Sequence, residues 1–349
     1  MAVELSAFFA PTRQTPEHIQ LADQLGFARA WCYDSPLLYD DVFVMLARAA
    51  ERTSHIGLGV GVLVPGLRAP VVTASALTTV AALAPGRVAV AIGAGFTGRF
   101  TLGLPPVRMA RLEAEVTELR ALLSGGEVPH SEGDAPVRLI RVPGADGPWP
   151  IPIYVSCRGP RAQALARTAG DGAMTGIFYP GGLGLVRAGV GDRIPLVVHA
   201  VGAVREDGEP WDSARLTATV GPVVAVAFHQ FAEQPWRLEG LEPELRARAE
   251  AYLERIGRDL DAARRHQDLH RGHLVEIVLD ADRELVTPEH IRRFSVTGTA
   301  AELADRVRAL DVDGVTELAI QPGGDVAEEL RRLAAAFGSA GLLRSPDGS

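Results

Sequence analysis

The chain of 349 residues contains no lysine and no asparagine, and all 35 of its cationic side chains belong to arginine. Without lysine it cannot form a Schiff base with a carbonyl substrate or with pyridoxal phosphate. It also cannot supply the phosphate-binding lysine of a Walker motif. Any anion must therefore be held by arginine, by histidine or by backbone N–H groups.

The chain also has few cysteines, no long apolar run and no excess of positive charge. The two cysteines, Cys32 and Cys157, predict neither a disulfide framework nor a thiolate metal cluster, and they favour a reducing cytoplasm. No apolar run reaches the roughly 18 residues of a membrane span, and the N-terminal residues lack the basic segment of a signal peptide. A net charge of −8 argues against nucleic acid as a partner. We therefore predict a cytoplasmic protein with neither a nucleic-acid nor a membrane partner.

Short apolar segments alternate with amphipathic ones along the whole chain, which is typical of an α/β fold with a parallel sheet. The alternation predicts a (β/α)8 TIM barrel in a single domain, 1–349, with a doubly wound sheet as the alternative. Two stretches interrupt the rhythm and are predicted insertions, about 126–150 after helix 4, with a possible hairpin around Gly133, and about 206–290 after strand 7. The predicted strands are Glu4–Ala10, Arg29–Tyr33, Ile56–Val64, Arg87–Ile92, Ile153–Ser156, Gly172–Gly176, Leu196–Val204 and Thr316–Ile320.

A glycine motif, Gly93-Ala-Gly95-Phe-Thr-Gly98, directly follows the fourth predicted strand. Its G-x-G-x-x-G spacing resembles a dinucleotide-binding turn. However, that turn usually opens its domain and leads directly into a helix, whereas Leu102–Pro106 separates these glycines from the next predicted helix. We favour a glycine-lined barrel floor that a flat ligand can approach closely.

The segment Ser156-Cys-Arg-Gly-Pro-Arg161 joins the fifth predicted strand to a helix. Free N–H groups of the first helical turn, together with Arg158 and Arg161, can hold a phosphate. The alternative is an ordinary turn with two surface arginines. Cys157 is not expected to be a nucleophile, because no strand-end histidine is visibly paired with it.

Several other polar residues stand at predicted strand ends or at helical spacing. Asp34 ends the second strand and is either a ligand contact or a helix cap, and His199 ends the seventh. His266, His270 and His273 have the spacing of some zinc sites, but arginines flank them. We predict a solvated helix face there and no metal site.

Three segments, 31–59, 61–95 and 152–176, carry a family resemblance. The first begins WCYDSPLLYDD, the second ends GRVAVAIGAG, and the third contains SCRGPRAQALARTAGDGAMTG. They resemble the luciferase-like superfamily of TIM-barrel flavin and deazaflavin enzymes, in particular the branch of methylenetetrahydromethanopterin reductase. The three segments cover about half of the chain, and residues 180–349 match only in general layout.

The resemblance implies that the deazaflavin coenzyme F420, or alternatively FMN, lies in the barrel mouth. It further implies a bulge in strand three with a non-prolyl cis peptide, at a position that corresponds to Gly61-Val62. The implied cofactor-binding residues are Asp34, Gly61, Val62, Leu63, Val64, Gly95, Ser156, Cys157, Arg158, Gly159, Pro160, Thr175 and Gly176.

On the substrate side the sequence departs from the sugar-phosphate dehydrogenase branch. Ser35 stands where that branch has histidine, and Phe96 where it has an acid, so oxidation of glucose 6-phosphate is not expected. Tyr39 and His199 are the candidate catalytic residues, Tyr39 as a proton donor. The expected substrate-binding residues are Phe8, Ser35, Tyr39, Arg68, Phe96 and Arg99.

Three functions remain open from the sequence. The first is an F420-dependent oxidoreductase that moves a hydride to or from a C=C, C=N or C=O bond of a small organic substrate. The second is an FMN-dependent monooxygenase of the same superfamily, and the third is a barrel that binds a flavin or another ligand without turnover. The resemblance also implies a homodimer.

Overall fold

Eight parallel strands close into a barrel in chain order, with β1 paired to both β2 and β8. The computed structural model describes residues 3–130, 133–140, 147–176, 182–339, 341 and 343. The strands are β1 (Glu4–Phe9), β2 (Arg29–Cys32), β3 (Gly57–Leu63), β4 (Val88–Ile92), β5 (Ile153–Ser156), β6 (Gly172–Gly176), β7 (Leu196–Val201) and β8 (Glu317–Gln321). The predicted TIM barrel is confirmed, and the doubly wound alternative is wrong.

Helices alternate with the strands along the chain, and several of them cover the outside of the barrel. They are α1 (Thr15–Gln24), α2 (Val42–Ala50), α3 (Pro70–Leu83), α4 (Thr97–Phe100), α5 (Met109–Leu123), α6 (Pro160–Ala169), α7 (Gly182–Val190), α8 (Ala214–Glu233), α9 (Pro243–Asp259), α10 (Arg265–Asp268), α11 (Asp280–Arg283), α12 (Pro288–Phe294), α13 (Ala300–Val312) and α14 (Val326–Gly338). A 3₁₀ helix spans Pro235–Gly240. No helix in the described part of the chain combines the length and apolar character that a bilayer crossing requires.

Alternate strand residues fill the inside of the barrel, as the pleat of a parallel sheet demands. The largest is Trp31, which is fully buried and donates a hydrogen bond of 2.7 Å from Nε1 to Glu317 Oε1. Gly59 on the neighbouring strand gives this indole its space, because a Cβ there would lie 2.3 Å from the ring. The barrel interior is therefore a packed core, and open space begins only above it.

The two predicted insertions have different structures. In the first, an antiparallel bridge joins Val128 and Val137, in line with the expected hairpin, although residues 131–132 and 141–146 lie outside the described residues. The second contains α8 to α12, which enclose a separate apolar core around Phe228. The sequence predicts helices around Ser213–Ala227 and Pro243–Arg265 in this stretch. In the structure α8 runs six residues further, to Glu233, and α9 ends earlier, at Asp259. The assignment of 1–349 to a single domain stays a prediction.

Candidate active site

A cavity of about 370 Å³ opens above the packed interior, at the carboxyl ends of the strands. In a TIM barrel this end carries the active site. The structure brings the following predicted residues to the cavity wall: Phe8, Asp34, Ser35, Gly61, Val62, Val64, Gly95, Phe96, Ser156, Arg158, Gly159, Thr175, Gly176 and His199. The cavity therefore collects most of the predicted site from β1 to β7.

A second cavity of about 420 Å³ adjoins the first on the side of α6 and α7. The two cavities share five lining residues, which are Arg158, Gly159, Thr175, Gly176 and Arg237. Gly159 caps the N-terminus of α6, where the first backbone N–H groups lack partners within the helix. A ligand with a flat apolar part and an anionic tail has space in both lobes.

The wall formed by β3 has the predicted irregularity. The Gly61–Val62 peptide is cis, and the register of β3 against β4 shifts between Gly61 and Leu63. The predicted bulge is thus confirmed. Beside it, Gly95 has a φ of +84°, a conformation that side chains other than glycine rarely adopt, and it packs against Val64 and Arg99.

Asp34 lies at the cavity wall in a buried ion pair. Both of its carboxylate oxygens accept hydrogen bonds from Arg68 Nη1, at 2.7 and 2.8 Å, and Arg68 Nη2 donates to Asp41. Burial raises the pKa of Asp34 above its ordinary value, although the Arg68 guanidinium opposes this. Arg68 is thereby bound to two carboxylates and does not line the cavity in this structure.

His199 is one end of a hydrogen-bonded chain. The Tyr33 hydroxyl donates to Gln321 Oε1 at 2.6 Å and lies 2.8 Å from His199 Nε2. Since the single hydroxyl proton points to Gln321, His199 Nε2 is the donor to Tyr33. Burial, with the nearby Arg158 charge, lowers the pKa of His199 to about 3. His199 is therefore neutral near pH 7 and presents a hydrogen-bonding face, not an acid.

The other predicted residues do not line the cavity. Tyr39 donates from its hydroxyl to the His273 carbonyl at 2.6 Å, and Arg99 donates to the Pro105 carbonyl at 2.9 Å. Leu63 belongs to the core between sheet and helices, and Pro160 opens α6. Cys157 is fully buried, and burial raises its pKa to about 12, so its thiol is not a nucleophile at neutral pH.

The prediction of a solvated histidine face is wrong. The helix α10 ends at Asp268, and the turns that follow bury His270 and His273 against His229 of α8. One ring nitrogen of each of these three histidines lies within 4.8 Å of the others. Burial lowers the pKa of His270 and, further, that of His273. The helical spacing suggested exposure because the chain was assumed to continue as one helix.

Several lining residues were missed by the sequence analysis: Tyr33, Gln230, Gln234, Arg237, His273 and Leu274. Three of these lie in the last turn of α8 or just after it, where the predicted helix had already ended. Leu274 has a φ of +57°, which is uncommon for a non-glycine residue. A detectable signal was the polar sequence His229-Gln230 within an otherwise apolar helix, because buried polar side chains need partners.

Comparison with known proteins identifies the family of the chain. The family model for luciferase-like monooxygenase matches residues 4–317. The 5,10-methylenetetrahydromethanopterin reductase of Archaeoglobus fulgidus is 28% identical over 317 residues, which cover 86% of this chain and 87% of that protein. The F420-dependent glucose-6-phosphate dehydrogenase of Beutenbergia cavernae is 34% identical over 183 residues, and the match spans only about half of each chain, 47% and 52%.

Solved structures agree on the fold. The coenzyme F420-dependent tetrahydromethanopterin reductase of Methanopyrus kandleri superposes with a TM-score of 0.72 at 20% identity, covering 96% of this chain and 98% of the other. Other solved neighbours contain FMN or a modified FMN. With the family model matched from β1 to the start of β8, and with the site at the expected end of the barrel, the chain belongs to the luciferase-like monooxygenase family of oxidoreductases.

Proposed function

We propose that the protein is an oxidoreductase that uses coenzyme F420 for hydride transfer to or from a C=C, C=N or C=O bond of a small organic substrate. The observation that carries the proposal is the two-lobed cavity at the carboxyl ends of the strands. One lobe suits a flat ring and the other suits its phosphate-bearing tail. When bound, the deazaflavin supplies the hydride chemistry, and the protein supplies geometry.

The residues of the ring lobe fit a planar apolar group. Val62 and Val64 line the wall on β3 and directly after it, and Gly95 packs beside Val64 after β4. Apolar contact with one face of a ring favours one orientation and keeps water away from that face. In the proposed complex these residues hold the ring, and the substrate stacks on its remaining face.

The residues of the tail lobe fit an anion. Arg158 and Arg237 line both cavities, and so does Gly159, the N-cap of α6, whose first turn has N–H groups without partners in the helix. Arginine and a helix N-terminus both attract phosphate. With lysine absent from the chain, these are the groups from which a phosphate site is expected.

The substrate side of the cavity is weakly polar. Phe8, Ser35 and Phe96 line it, and the Ser35 hydroxyl is 2.9 Å from that of Thr97. Neither Ser35 nor Phe96 can transfer the proton that oxidation of a sugar alcohol requires. This supports a less polar, unsaturated substrate, with the side-chain amide of Gln230 as a polar contact for a carbonyl or imine.

The alternative function is an FMN-dependent monooxygenase. It is favoured by the description of the family and by the solved neighbours that contain FMN or a modified FMN. F420 is favoured by the F420-dependent glucose-6-phosphate dehydrogenase that matches about half of the chain and by the coenzyme F420-dependent reductase whose structure superposes over 96% of it. Reactivity with oxygen distinguishes the two functions, because a reduced deazaflavin does not readily activate oxygen.

The first test is equilibrium binding of F420 and of FMN to the purified protein, side by side. We expect micromolar or tighter binding of F420 and at least tenfold weaker binding of FMN. Preference for FMN would replace the proposal with the monooxygenase, and binding of neither would favour a barrel without this cofactor. The homodimer, the cytoplasmic location and the class of substrate stay predictions.

A further inference from the structure

We propose that His229, His270 and His273 form a binding site for a divalent transition-metal cation, with Zn²⁺ as the first choice. This cluster, called here the histidine triad site, is built by α8 and by the turns after α10. One ring nitrogen of each histidine lies within 4.8 Å of the other two. The proposal concerns a site next to the cavity and does not depend on which cofactor the cavity binds.

The first argument is that the triad contains ring nitrogens without hydrogen-bond partners. The Nδ1 atoms of all three histidines are buried and have no hydrogen-bond partner among the described residues. A buried polar atom without a partner costs free energy, and three such atoms in one cluster are unusual in a native protein. A cation that accepts their lone pairs removes this cost.

The orientation of the rings is the second argument. His229 Nε2 lies 3.2 Å from Asp282 Oδ1, and His270 Nε2 lies 3.2 Å from Glu233 Oε1. The Tyr252 hydroxyl donates to Asp282 at 2.8 Å and fixes that carboxylate. A carboxylate behind a histidine holds the ring with its proton on the outer nitrogen, which leaves the inner nitrogen free for a metal. Two of the three histidines have this arrangement.

Charge and ligand type are the third argument. Imidazole suits Zn²⁺, Cu²⁺, Fe²⁺ and Ni²⁺, whereas Mg²⁺ and Ca²⁺ prefer oxygen ligands. The carboxylates of Asp282 and Glu233, which lie 3.2 Å from His229 and His270, offset the charge of a dication. With Zn–N distances of about 2.0–2.1 Å, the nitrogens must approach one another by up to about 1.5 Å when the metal binds.

The position of the triad decides what kind of site it is. Three histidine ligands leave a fourth coordination position, as in catalytic zinc sites. His273 also lines the cavity, and the Phe96 ring packs against both His270 and His273, at centroid distances of 5.6 and 5.9 Å. The fourth ligand is therefore expected to be water or an oxygen of a molecule in the cavity.

The test uses tag-free protein, stripped with a chelator and titrated with Zn²⁺ against a chromophoric competitor. We expect one Zn²⁺ per chain with a submicromolar dissociation constant. Co²⁺ at the same site should give the intense visible bands of a tetrahedral complex. His270→Gln and His273→Gln should each weaken Zn²⁺ binding by at least 100-fold, and Asp282→Asn by about 10–100-fold.

The matched control is His266→Gln, four residues before His270 in the same segment and outside the cluster. It should leave Zn²⁺ affinity unchanged. Thermal unfolding shows whether each variant folds, and Zn²⁺ should raise the melting temperature of the wild type but not that of His270→Gln. If the wild type binds Zn²⁺ no more tightly than the variant with all three histidines replaced by glutamine, the cluster is only a packed wall and the proposal is overturned.

Discussion

At the scale of single residues, lysine is absent, and the arginines differ in whether they bind within the protein or line the cavity. Arg68 is held by Asp34 and Asp41, and Arg215 by Glu209 and Glu329, so both are bound within the protein. Arg158 is different, because it lines both lobes of the cavity, where it donates a hydrogen bond of 3.3 Å to Gln230. It is the arginine we expect to meet the cofactor phosphate.

Replacing this residue is a direct prediction. Arg158→Ala should weaken cofactor binding by about 1–3 kcal/mol, because a charge-assisted hydrogen bond to phosphate is lost. Titration of the purified variant with F420, or with FMN if FMN proves to be the cofactor, measures the effect. Arg167→Ala, at the other end of α6, makes the same change of charge and should bind the cofactor as the wild type does. Equal affinities for both variants would remove Arg158 from the site.

At the scale of elements, the sequence predicted the barrel well and α8 poorly. Regular strands such as Ile153–Ser156 were predicted to the residue, because their apolar runs are bounded by glycine, proline or polar residues. The end of α8 was missed because His229, Gln230 and Glu233 look like the polar end of a helix. Their burial depends on α9 to α12, which pack there from later in the chain, and periodicity does not report such contacts.

The anchoring of α8 carries a second prediction. Arg215, in its first turn, bonds Glu209, the Val204 carbonyl and Glu329 of α14, and Glu329 is almost fully buried. Arg215→Ala should lower the free energy of unfolding by about 2–4 kcal/mol, because it leaves the buried Glu329 carboxylate without its hydrogen-bond partner. Urea unfolding measures the loss. Arg246→Ala removes an exposed pair with Glu250 on α9 and should cost less than about 1 kcal/mol, so equal losses would contradict this account.

At the scale of the whole molecule, the neutral His199 makes stability depend on pH. Its pKa is about 3 when folded and about 6.5 in the unfolded chain, so below pH 6.5 only the unfolded state takes up the proton. This contribution to stability is complete above pH 6.5 and is lost as the pH falls towards 3. His199→Gln should therefore lose less stability than the wild type between pH 6.5 and 4.5, by up to about 2 kcal/mol. Urea unfolding at several pH values checks this, and parallel pH curves would show that His199 is protonated in the folded state.

The closure of the barrel has a consequence for the order in which the protein is made. Glu4 of β1 pairs with Glu317 of β8, so the first strand remains without one of its neighbours until nearly the whole chain exists. At about 5–20 residues per second, a ribosome needs roughly 15–60 s between these two points. During that interval the nascent sheet has open edges, which can pair with other chains. The risk of misassembly at the β1–β8 pair therefore depends on the rate of synthesis as well as on the sequence.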